Sequence, residues 1–453
     1  MGIRFSSAMM TLLLVGTAPA LAENAGITSV AEVPAGKTAA ATATGATNRN
    51  TYRVGPSRAY KDLTAVQAVL APGDTVLVDG NATYPSVVIT MSGAPGAPIT
   101  FEGVRVSGAR PIISGGTNAL EVRANDVVVT GFEITGGSAR CFFHHGDHVM
   151  LSHSVVHDCP DGVLGADSGS GSLTLQFVEI YRCGSGTQRH SVYMATNEVD
   201  HPGSVFRMQH CYIHDGTGGH AVKSRSERNE IYYNWVEGGT YREFELIGPD
   251  PDVNGNTPMR EDSDVVGNVV WHRSIYPVIR VGTDRAPPAY DGSTRGRYRF
   301  VNNTIIITGS AAVFQVFGGV ESIEAHNNVL YASAGTLRVL DTAEAAWESG
   351  SAVAGTNNWV SAGSTYTPGT WTGTRTGSSP GFTDLARHDL TPTKGSPLVD
   401  AGGSAPAYAA HPFVHPLYPP IYVPPAHALG TSATARPLNG AIDIGAYEYA
   451  GRR

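Results

Sequence analysis

The sequence has few charged residues and hardly any lysine. Asp, Glu, Lys and Arg make up 15% of the 453 residues, and only positions 37, 61, 223 and 394 carry lysine. The formal net charge of −8 argues against non-specific binding to nucleic acid, because such binding needs a basic surface. A polyanionic partner would therefore have to meet a local cluster of cations.

Cysteine and long apolar segments are also scarce. Four cysteines in a chain of this length cannot supply the framework of a small disulfide-rich domain, so a hydrophobic core must provide the stability. Beyond residue 22, no apolar run is long enough to span a bilayer. The sequence contains no HExxH, no paired CxxC, no phosphate-binding loop and no dinucleotide fingerprint. It therefore predicts neither a membrane span nor a certain cofactor or metal.

The first residues predict export. Arg4 precedes the apolar stretch "AMMTLLLVGTAPA", and "ALA" at 20–22 is a small-x-small cleavage site. We expect a signal peptide over 1–22, cleaved after Ala22, and a secreted or periplasmic protein. An Ala/Thr/Gly-rich flexible segment would follow over 23–51, then a regular region over 52–345. Residues 346–453, rich in Gly, Pro, Ser and Thr, would form a C-terminal covering segment continuous with it.

A repeated motif organises the region over 52–345. Segments such as "FEIT" (132), "SVVHDC" (154), "VEIYRC" (178) and "CYIHDG" (211) recur at 22–25 residues, and insertions lengthen some intervals to 33–35. This spacing fits a coil of three short strands that stacks on the next coil. Asparagine recurs at the same place in four successive repeats, at positions 234, 268, 303 and 328. We expect these amides to form a ladder along one corner of a monomeric, right-handed parallel β-helix.

Segments at both ends of this region resemble a known superfamily. "AYKDLTAVQAVLAPGDTVLVDG" (59–80) is similar to the opening segment of pectate-lyase-like β-helix proteins, in which an amphipathic helix caps the stack. "GSPLVDAG" (395–402) and "DIGAYEY" (443–449) resemble the closing segment of exported bacterial proteins of this type. The resemblance implies an all-β solenoid, with an N-terminal capping helix and a loop-rich C-terminal segment.

A second strand of each coil predicts which side chains face outward. Alternation along a strand sends every other residue to the opposite face. The inward residues are expected to be Val163, Val192, Val222, Phe244 and Ile279. The outward column is then Leu164, Tyr193, Lys223, Glu245 and Arg280, with Arg225 and Glu243 on the same side. A bend at the start of the strand would also turn outward the side chains of His190, His220 and Arg242.

This polar face suits β-elimination of a uronic-acid polysaccharide. The reaction needs a cation for the C5 carboxylate, a base for the C5 proton and an acid for the leaving oxygen. Arg225, with Arg280 as an alternative, would neutralise the carboxylate. Lys223 would be the base, because neighbouring cations lower the pKa of an amine. Tyr193, His190 and His220 remain open as candidates for the acid.

A second resemblance supports the same chemistry. "KSRSERNEIYYN" (223–234) resembles a coil of the chondroitinase-B-like and alginate lyases with a parallel β-helix. The resemblance implies Lys223 as the catalytic base. In that family an arginine on the following coil is the acid, whereas this sequence has Glu245 at about that place. Some members use Ca²⁺, and here "GPDPD" (248–252) with Glu261, Asp262 and Asp264 could attract it.

Three alternatives stay open beside the lyase. A glycoside hydrolase needs two carboxylates, which Glu243 and Glu245, or Asp250 and Asp252, would supply. A uronate epimerase would share most of the lyase machinery, and a non-catalytic protein would only bind the glycan. The candidates for substrate binding are Arg280, Arg242, Glu245 and Glu243.

The cysteines give one further expectation. Cys159 and Cys183 both follow their repeat motif by five residues, so adjacent coils would bring their Cα atoms to about 4.8 Å. This distance is within disulfide range and predicts a bond between them. Cys141 and Cys211 show no such register.

Overall fold

The computed structural model of the chain describes residues 49–165, 169–248, 261–283, 296–341, 352–403 and 419–451. Almost all regular structure in these ranges is β-strand. None of the helices found there is long and apolar enough to cross a membrane. The predicted signal peptide and most of the predicted flexible segment lie outside the described residues.

Three parallel sheets run the length of the molecule, and each coil adds one strand to each sheet in turn. Sheet 1 has a four-stranded part made of Thr51–Val54, Thr75–Asp79, Ile99–Val104 and Val127–Thr130. Its eight-stranded part consists of Val149–Ser152, Leu173–Gln176, Val205–Gln209, Arg228–Tyr232, Asp262–Val266, Arg297–Val301, Ser322–His326 and Ala352–Thr356. The predicted parallel β-helix of three-stranded coils is confirmed.

Sheets 2 and 3 complete each coil. Sheet 2 consists of Thr83–Pro85, Ile112–Ser114, Glu133–Thr135, Val155–His157, Glu179–Tyr181, Tyr212–His214, Trp235–Glu237, Val269–His272, Thr304–Thr308, Val329–Ala334, Trp359–Ser361 and Arg375–Gly377. Sheet 3 consists of Val87–Ile89, Asn118–Val122, Arg140–His144, Asp161–Gly165, Val192–Ala195, Val222–Arg225, Phe244–Ile247, Ile279–Gly282, Ala311–Val316 and Leu337–Leu340. The coil strands thus continue beyond residue 345, to Gly377.

A short helix, Leu63–Gln67, lies at the start of the stack, within the segment predicted to cap it. The carboxylate of Asp62 caps the helix by accepting a hydrogen bond from the backbone N–H of Ala65 at 2.9 Å. Gln67 ties the helix to the first strand of sheet 3, because its amide donates to the carbonyl of Val88 at 2.9 Å. The helix buries Leu63 and closes the apolar end of the coil.

The C-terminal residues cover sheet 2. Their elements are the antiparallel pairs Phe382–Asp384 with Asp389–Pro392 and Tyr422–Val423 with Thr434–Ala435, and the 3-10 helix Leu385–Arg387. Leu390, Ala446 and Tyr447 pack on a buried cluster that includes Trp235 and Trp271 of sheet 2. The outer face of sheet 2 is therefore covered around Trp235 and Trp271.

Inside the coil, the sheet 3 residues predicted to point inward form a continuous ladder. Val163 pairs with Val192, Val192 with Val222, Val222 with Phe244, and Phe244 with Ile279. Each of them is at most 1% exposed. Full burial of such side chains contributes about 1.5–3 kcal/mol each, so the ladder determines which residues of these strands face outward.

The predicted asparagine ladder is also confirmed. The side-chain oxygen of Asn268 accepts from the backbone N–H and from the amide of Asn234, at 2.8 and 2.9 Å. Asn268 in turn donates to the side-chain oxygen of Asn303, and the same pattern continues through Asn328 to Asn358. All five side chains are buried, so the amides satisfy one another where no water reaches them.

The predicted disulfide is wrong. Cys141 and Cys159 form the bond, with Cα atoms 5.5 Å apart, whereas Cys183 and Cys211 are buried thiols. The prediction compared only residues stacked directly above one another. Cys141 is buried in the core cluster and lies on the strand of sheet 3 that pairs with the strand beginning at Asp161. Cys159 lies two residues before Asp161, so the two cysteines meet diagonally.

Candidate active site

The outward column of sheet 3 is formed as predicted. Leu164 pairs with Tyr193, Tyr193 with Lys223, Lys223 with Glu245, and Glu245 with Arg280. The parallel register therefore places a phenol, an ammonium, a carboxylate and a guanidinium in one row along the outer face.

A cleft of about 470 Å³ lies over this row. Its lining residues are Thr187, Gln188, His190, Tyr193, His220, Lys223, Arg225, Tyr241, Arg242, Glu245 and Arg280. They include every predicted site residue except Glu243. Thr187 and Gln188 come from the loop "GSGTQR" (184–189), which lies in one of the insertions that lengthen the repeat. Residues 249–260, in another of these insertions, lie outside the described residues.

Glu245 is the centre of the charged contacts. Its carboxylate is 2% exposed and lies 3.1 Å from His220 Nε2 and 3.3 Å from Lys223 Nζ. Two guanidiniums approach its other oxygen, Arg280 at 2.9 Å and Arg242 at 3.6 Å. Burial alone would raise the pKa of Glu245. Hydrogen bonding from His220 and the charges of Lys223 and Arg280 outweigh burial and hold that pKa well below its usual range.

The two histidines are turned into the cleft by the bend at the strand start. Asp161 anchors this bend by accepting the backbone N–H of His190 at 3.0 Å. The rings of His190 and His220 stack with centroids 4.9 Å apart and planes 17° from parallel. Nδ1 of His190 accepts the backbone N–H of His220 at 3.0 Å, which assigns the ring proton to Nε2.

Both imidazoles are neutral near pH 7. Burial, with the charge of His220 next in size, lowers the pKa of His190 to about 2. Burial also lowers the pKa of His220, although the hydrogen bond to Glu245 acts in the opposite direction. In its neutral form His220 donates from Nε2 to Glu245. Both rings therefore enter the site as fixed hydrogen-bond donors.

Tyr193 is held by Arg225. Nε of the guanidinium donates to the phenol oxygen at 3.1 Å, and Nη1 donates to the carbonyl of Gly248 at 2.8 Å. Lys223 Nζ lies 5.1 Å from the centroid of the Tyr193 ring. A fixed cation thus points at the oxygen of the phenol, and the ammonium stands beside it.

The other two arginines differ in how tightly they are held. Arg280 stacks on the ring of Phe317 at 4.2 Å and donates to the carbonyl of Thr283 at 3.0 Å. Arg242 donates to the side chain of Gln315 at 2.7 Å. The side chain of Arg242 is 13% exposed and that of Lys223 is 14% exposed, against 10% for Arg280. Arg242 and Lys223 are therefore the better placed of these three cations to meet a ligand.

Glu243 does not reach the cleft, contrary to its predicted place beside Glu245. Its carboxylate is fully buried, accepts the backbone N–H of Gly239 at 2.9 Å and lies 3.2 Å from His272 Nδ1. Burial raises the pKa of Glu243. The residue precedes its strand, Phe244–Ile247, so strand alternation does not determine the direction of its side chain.

The acidic residues suggested for calcium have other partners. Asp262 lies in the strand Asp262–Val266 and pairs with Arg297. Asp264 pairs with Arg299 at 3.3 Å, and Glu261 accepts from the phenol of Tyr298 at 3.1 Å. No group of three or more metal-ligating side chains occurs among the described residues, which exclude 250 and 252. The use of calcium stays a prediction.

Sequence reasoning did not name three lining residues, Thr187, Gln188 and Tyr241. Thr187 and Gln188 lie in an insertion, and the length of an insertion does not predict which of its side chains turn toward the cleft. Tyr241 directly precedes Arg242, and its ring packs on that of Tyr276 with centroids 4.6 Å apart. Its position next to a predicted outward residue was the available signal.

Comparisons with known proteins give matches among solved structures. No protein-family model and no curated protein matches the chain. Among solved structures, the pectate lyase Pel9A shares 13% identity over 89% of this chain and 97% of its own, with a TM-score of 0.48. A family-6 polysaccharide lyase from Pseudopedobacter saltans shares 12% over 73% and 92%, with 0.40. A lacto-N-biosidase from Eubacterium ramulus shares 12% over 68% and 67%, with 0.35. With TM-scores below 0.5 and identities of 12–13%, these similarities support no inference about fold or activity.

Proposed function

We propose that the protein is a lyase that cleaves an acidic, uronate-containing polysaccharide by β-elimination in the cleft of sheet 3. The observation that carries this proposal is the convergence of Lys223, Arg225, Arg242 and Arg280 with Tyr193 in one cleft. Glu245 is the one carboxylate among the lining residues that the structure describes. A cationic cleft in a protein with a formal net charge of −8 points to an anionic ligand.

For carboxylate binding we propose Arg242, with Arg280 behind it. Arg225 was the first choice from the sequence, but its guanidinium is engaged by Tyr193 and Gly248. The side chain of Arg242 lines the cleft, is 13% exposed, and contacts Glu245 at 3.6 Å and Gln315 at 2.7 Å. Pairing the C5 carboxylate with a guanidinium acidifies the C5 proton, because it stabilises the charge that develops when this proton leaves.

The histidines fit a binding role better than proton transfer. Nδ1 of His190 already accepts a backbone N–H, and Nε2 of His220 already donates to Glu245. A neutral ring fixed in this way can donate to a sugar hydroxyl. We therefore assign His190 to substrate binding and His220 to the support of Glu245.

The hydrolase alternative lacks its second carboxylate among the described residues. Both classes of glycosidase use two carboxyl groups about 5–9.5 Å apart, on either side of the scissile bond. Glu245 lines the cleft, whereas Glu243 is buried against His272. Asp250 and Asp252 lie outside the described residues.

Export belongs to the same proposal. The predicted signal peptide would bring the enzyme to the periplasm or the cell exterior, where a polysaccharide substrate is met. The Cys141–Cys159 disulfide supports an oxidising compartment, because such bonds are rare in the cytosol.

The test measures two products of cleavage in parallel. The mature protein is incubated with a panel of uronic-acid polysaccharides, and ultraviolet absorbance of the C4=C5 double bond is followed beside new reducing ends. We expect both signals to rise with the wild type. Lys223→Ala should lower both, whereas Lys394→Ala, which removes an exposed lysine outside the cleft, should leave them unchanged.

Other outcomes identify the alternatives. Reducing ends without absorbance would mean hydrolysis. Exchange of the C5 hydrogen with solvent, without cleavage, would mean an epimerase. Binding with no chemical change in any polymer of the panel would mean a glycan-binding protein and would contradict the proposal.

A further inference from the structure

Resting on the lyase activity, we propose that Tyr193 is the base and Lys223 the acid, and that both act from one side of the sugar ring. This order reverses the roles expected from the sequence, in which Lys223 is the base and Tyr193 is one of the candidates for the acid. It also restricts the substrate to uronates whose C5–H and C4–O bonds lie on the same face of the ring.

The ammonium of Lys223 is paired with a buried carboxylate. Its Nζ lies 3.3 Å from Oε2 of Glu245, a carboxylate that is almost fully buried and stays ionised. An opposite charge at this distance favours the protonated ammonium. An ammonium carries three protons and no lone pair, so it can give a proton but cannot take one.

The phenol of Tyr193 contacts a charged guanidinium. Its oxygen accepts a hydrogen bond from Nε of Arg225 at 3.1 Å. A guanidinium stays charged at all working pH values, and the Gly248 carbonyl holds this one in place at 2.8 Å. A charged donor aimed at the oxygen stabilises the phenolate, which is the form that takes a proton.

The carboxylate and the two histidines of the cleft are not available as the base. The pKa of Glu245 is held low, and four cationic or hydrogen-bonding groups already surround its oxygens. Nδ1 of His190 is occupied by a backbone N–H. Nδ1 of His220 is buried, so a substrate cannot reach it.

The reaction balances with these two residues. The phenolate of Tyr193 takes the C5 proton, and the C5–H electron pair becomes the C4=C5 double bond. The C4–O bond breaks, and its oxygen takes a proton from the Lys223 ammonium. The tyrosine then returns its proton to the lysine amine through solvent, which restores the starting state.

The geometry also sets the stereochemistry. Tyr193 and Lys223 are paired residues on adjacent strands, and Nζ lies 5.1 Å from the ring centroid. Both rise from the same sheet and meet a bound sugar from the same side. Only a syn elimination can use a base and an acid placed in this way. Uronates of gluco or manno configuration have C5–H and C4–O on one face, whereas the galacto, gulo and ido configurations place them on opposite faces.

The first experiment compares polymers. Polyglucuronate and polymannuronate represent the syn class, and polygalacturonate and polyguluronate the anti class. We expect double-bond absorbance with a member of the syn class and at least about 10²-fold less with the anti class, the scale of a lost acid or base. Cleavage of the anti class alone would overturn the inference while leaving the lyase activity intact. Absence of the double bond with every polymer would instead mean that the lyase activity itself is wrong.

The second experiment separates acid from base with a substrate whose C4 substituent is 4-nitrophenoxide, which leaves without protonation. On the polymer, both Lys223→Ala and Tyr193→Phe should lose about 10²–10⁴-fold in kcat. On the activated substrate, Lys223→Ala should recover to within about tenfold of the wild type, because no acid is needed. Tyr193→Phe should not recover.

Three results would overturn the assignment: recovery of Tyr193→Phe instead, recovery of neither variant, or full activity of either variant on the polymer. Thermal unfolding of both variants checks that each is folded. Because Phe keeps the Tyr193 ring and removes only its hydroxyl, loss of activity in that variant with an unchanged unfolding midpoint isolates the proton transfer.

Discussion

At the scale of single residues, Glu245 organises the site without being placed to react. It is 2% exposed and contacts Lys223, Arg242, Arg280 and His220. Isolated cations in so confined a cleft would repel one another and favour a neutral amine on the lysine. One buried carboxylate keeps the cations together and keeps Lys223 protonated, so Glu245 is a positioning residue.

This role predicts the effect of Glu245→Gln. The variant keeps the shape of the side chain and removes its charge, so Lys223 should lose its proton at lower pH. We expect kcat to fall about 10²-fold and the alkaline limb of its pH profile to move to lower pH. Glu243→Gln is the matched control: it should lower the unfolding midpoint, because the Glu243–His272 contact is buried, and leave the alkaline limb in place. Equal limbs in Glu245→Gln and the wild type would refute the positioning role.

The sequence predicts the residues of the site better than their contacts. Strand alternation and the ladder of valines were enough to find Tyr193, Lys223 and Glu245. The hydrogen bond from Arg225 to Tyr193 and the turn of Glu243 toward His272 were not predictable. Alternation specifies the face of a side chain, whereas its partner depends on rotamers and on neighbouring coils that lie 20–35 residues away in the sequence.

At the scale of elements, the asparagine ladder holds the corner that precedes sheet 2. Asn268 links three coils, since its oxygen receives two hydrogen bonds from Asn234 and its amide donates to Asn303 and to the carbonyl of Ile231. Each amide therefore serves the coil before it and the coil after it. The asparagine ladder could be predicted because asparagine recurs at the same position of successive repeats.

The ladder predicts a large cost for Asn268→Ala. The change leaves the N–H and the amide of Asn234 and the carbonyl of Ile231 buried without their partner, and each such loss costs about 1–3 kcal/mol. We expect the free energy of unfolding to fall by about 3 kcal/mol or more in denaturant titrations. Asn439→Ala, at an exposed position, should change it by less than about 0.5 kcal/mol. A small effect for Asn268→Ala would mean that the ladder is not a source of stability.

The disulfide is a contact between elements that the repeat period cannot predict. Stacking one coil on the next correctly relates residues at equivalent positions, such as Val192 and Val222. Cys141 and Cys159 occupy different positions of their coils, so the repeat period does not relate them. A diagonal contact of this kind depends on the local path of the turn before Asp161, which no spacing in the sequence records.

At the scale of the whole molecule, buried histidines make stability depend on pH. They are His144, His190, His210 and His220, and burial is the largest cause that lowers the pKa of each. Such a group binds fewer protons in the folded than in the unfolded state. Its contribution is complete above the ordinary histidine pKa of 6.5 and is lost as pH falls toward the folded pKa.

His210 allows this dependence to be tested away from the cleft. It stacks between Phe177 and Tyr233, and burial lowers its pKa to about 4. His210→Phe should flatten the fall in unfolding free energy between pH 6.5 and 4 by up to about 1.4 kcal/mol per pH unit. Phe177 already occupies the same corner with a similar φ, 53° against 56°, so the ring fits. His148→Gln, at a half-exposed ring, should leave the slope unchanged, and an unchanged slope in His210→Phe would contradict the argument.

The overall architecture was the most predictable level, because every coil repeats the same pattern of inward residues. Long insertions were found as interruptions of the period, but their conformation was not, since no periodicity applies to them. The proposed function depends on the part of sheet 3 where the outward column is cationic. Four cations over a single sheet, in a protein of net negative charge, are what the proposed binding of an anionic chain requires.

The mass of the cleavage products formed in heavy-oxygen water tests most directly whether the protein cleaves by β-elimination. β-Elimination breaks the chain without consuming water. We therefore expect an unsaturated end that is lighter by one water than the hydrolysis product and carries no label. A saturated product that carries one heavy oxygen per cleaved bond would show hydrolysis and contradict the proposed lyase activity.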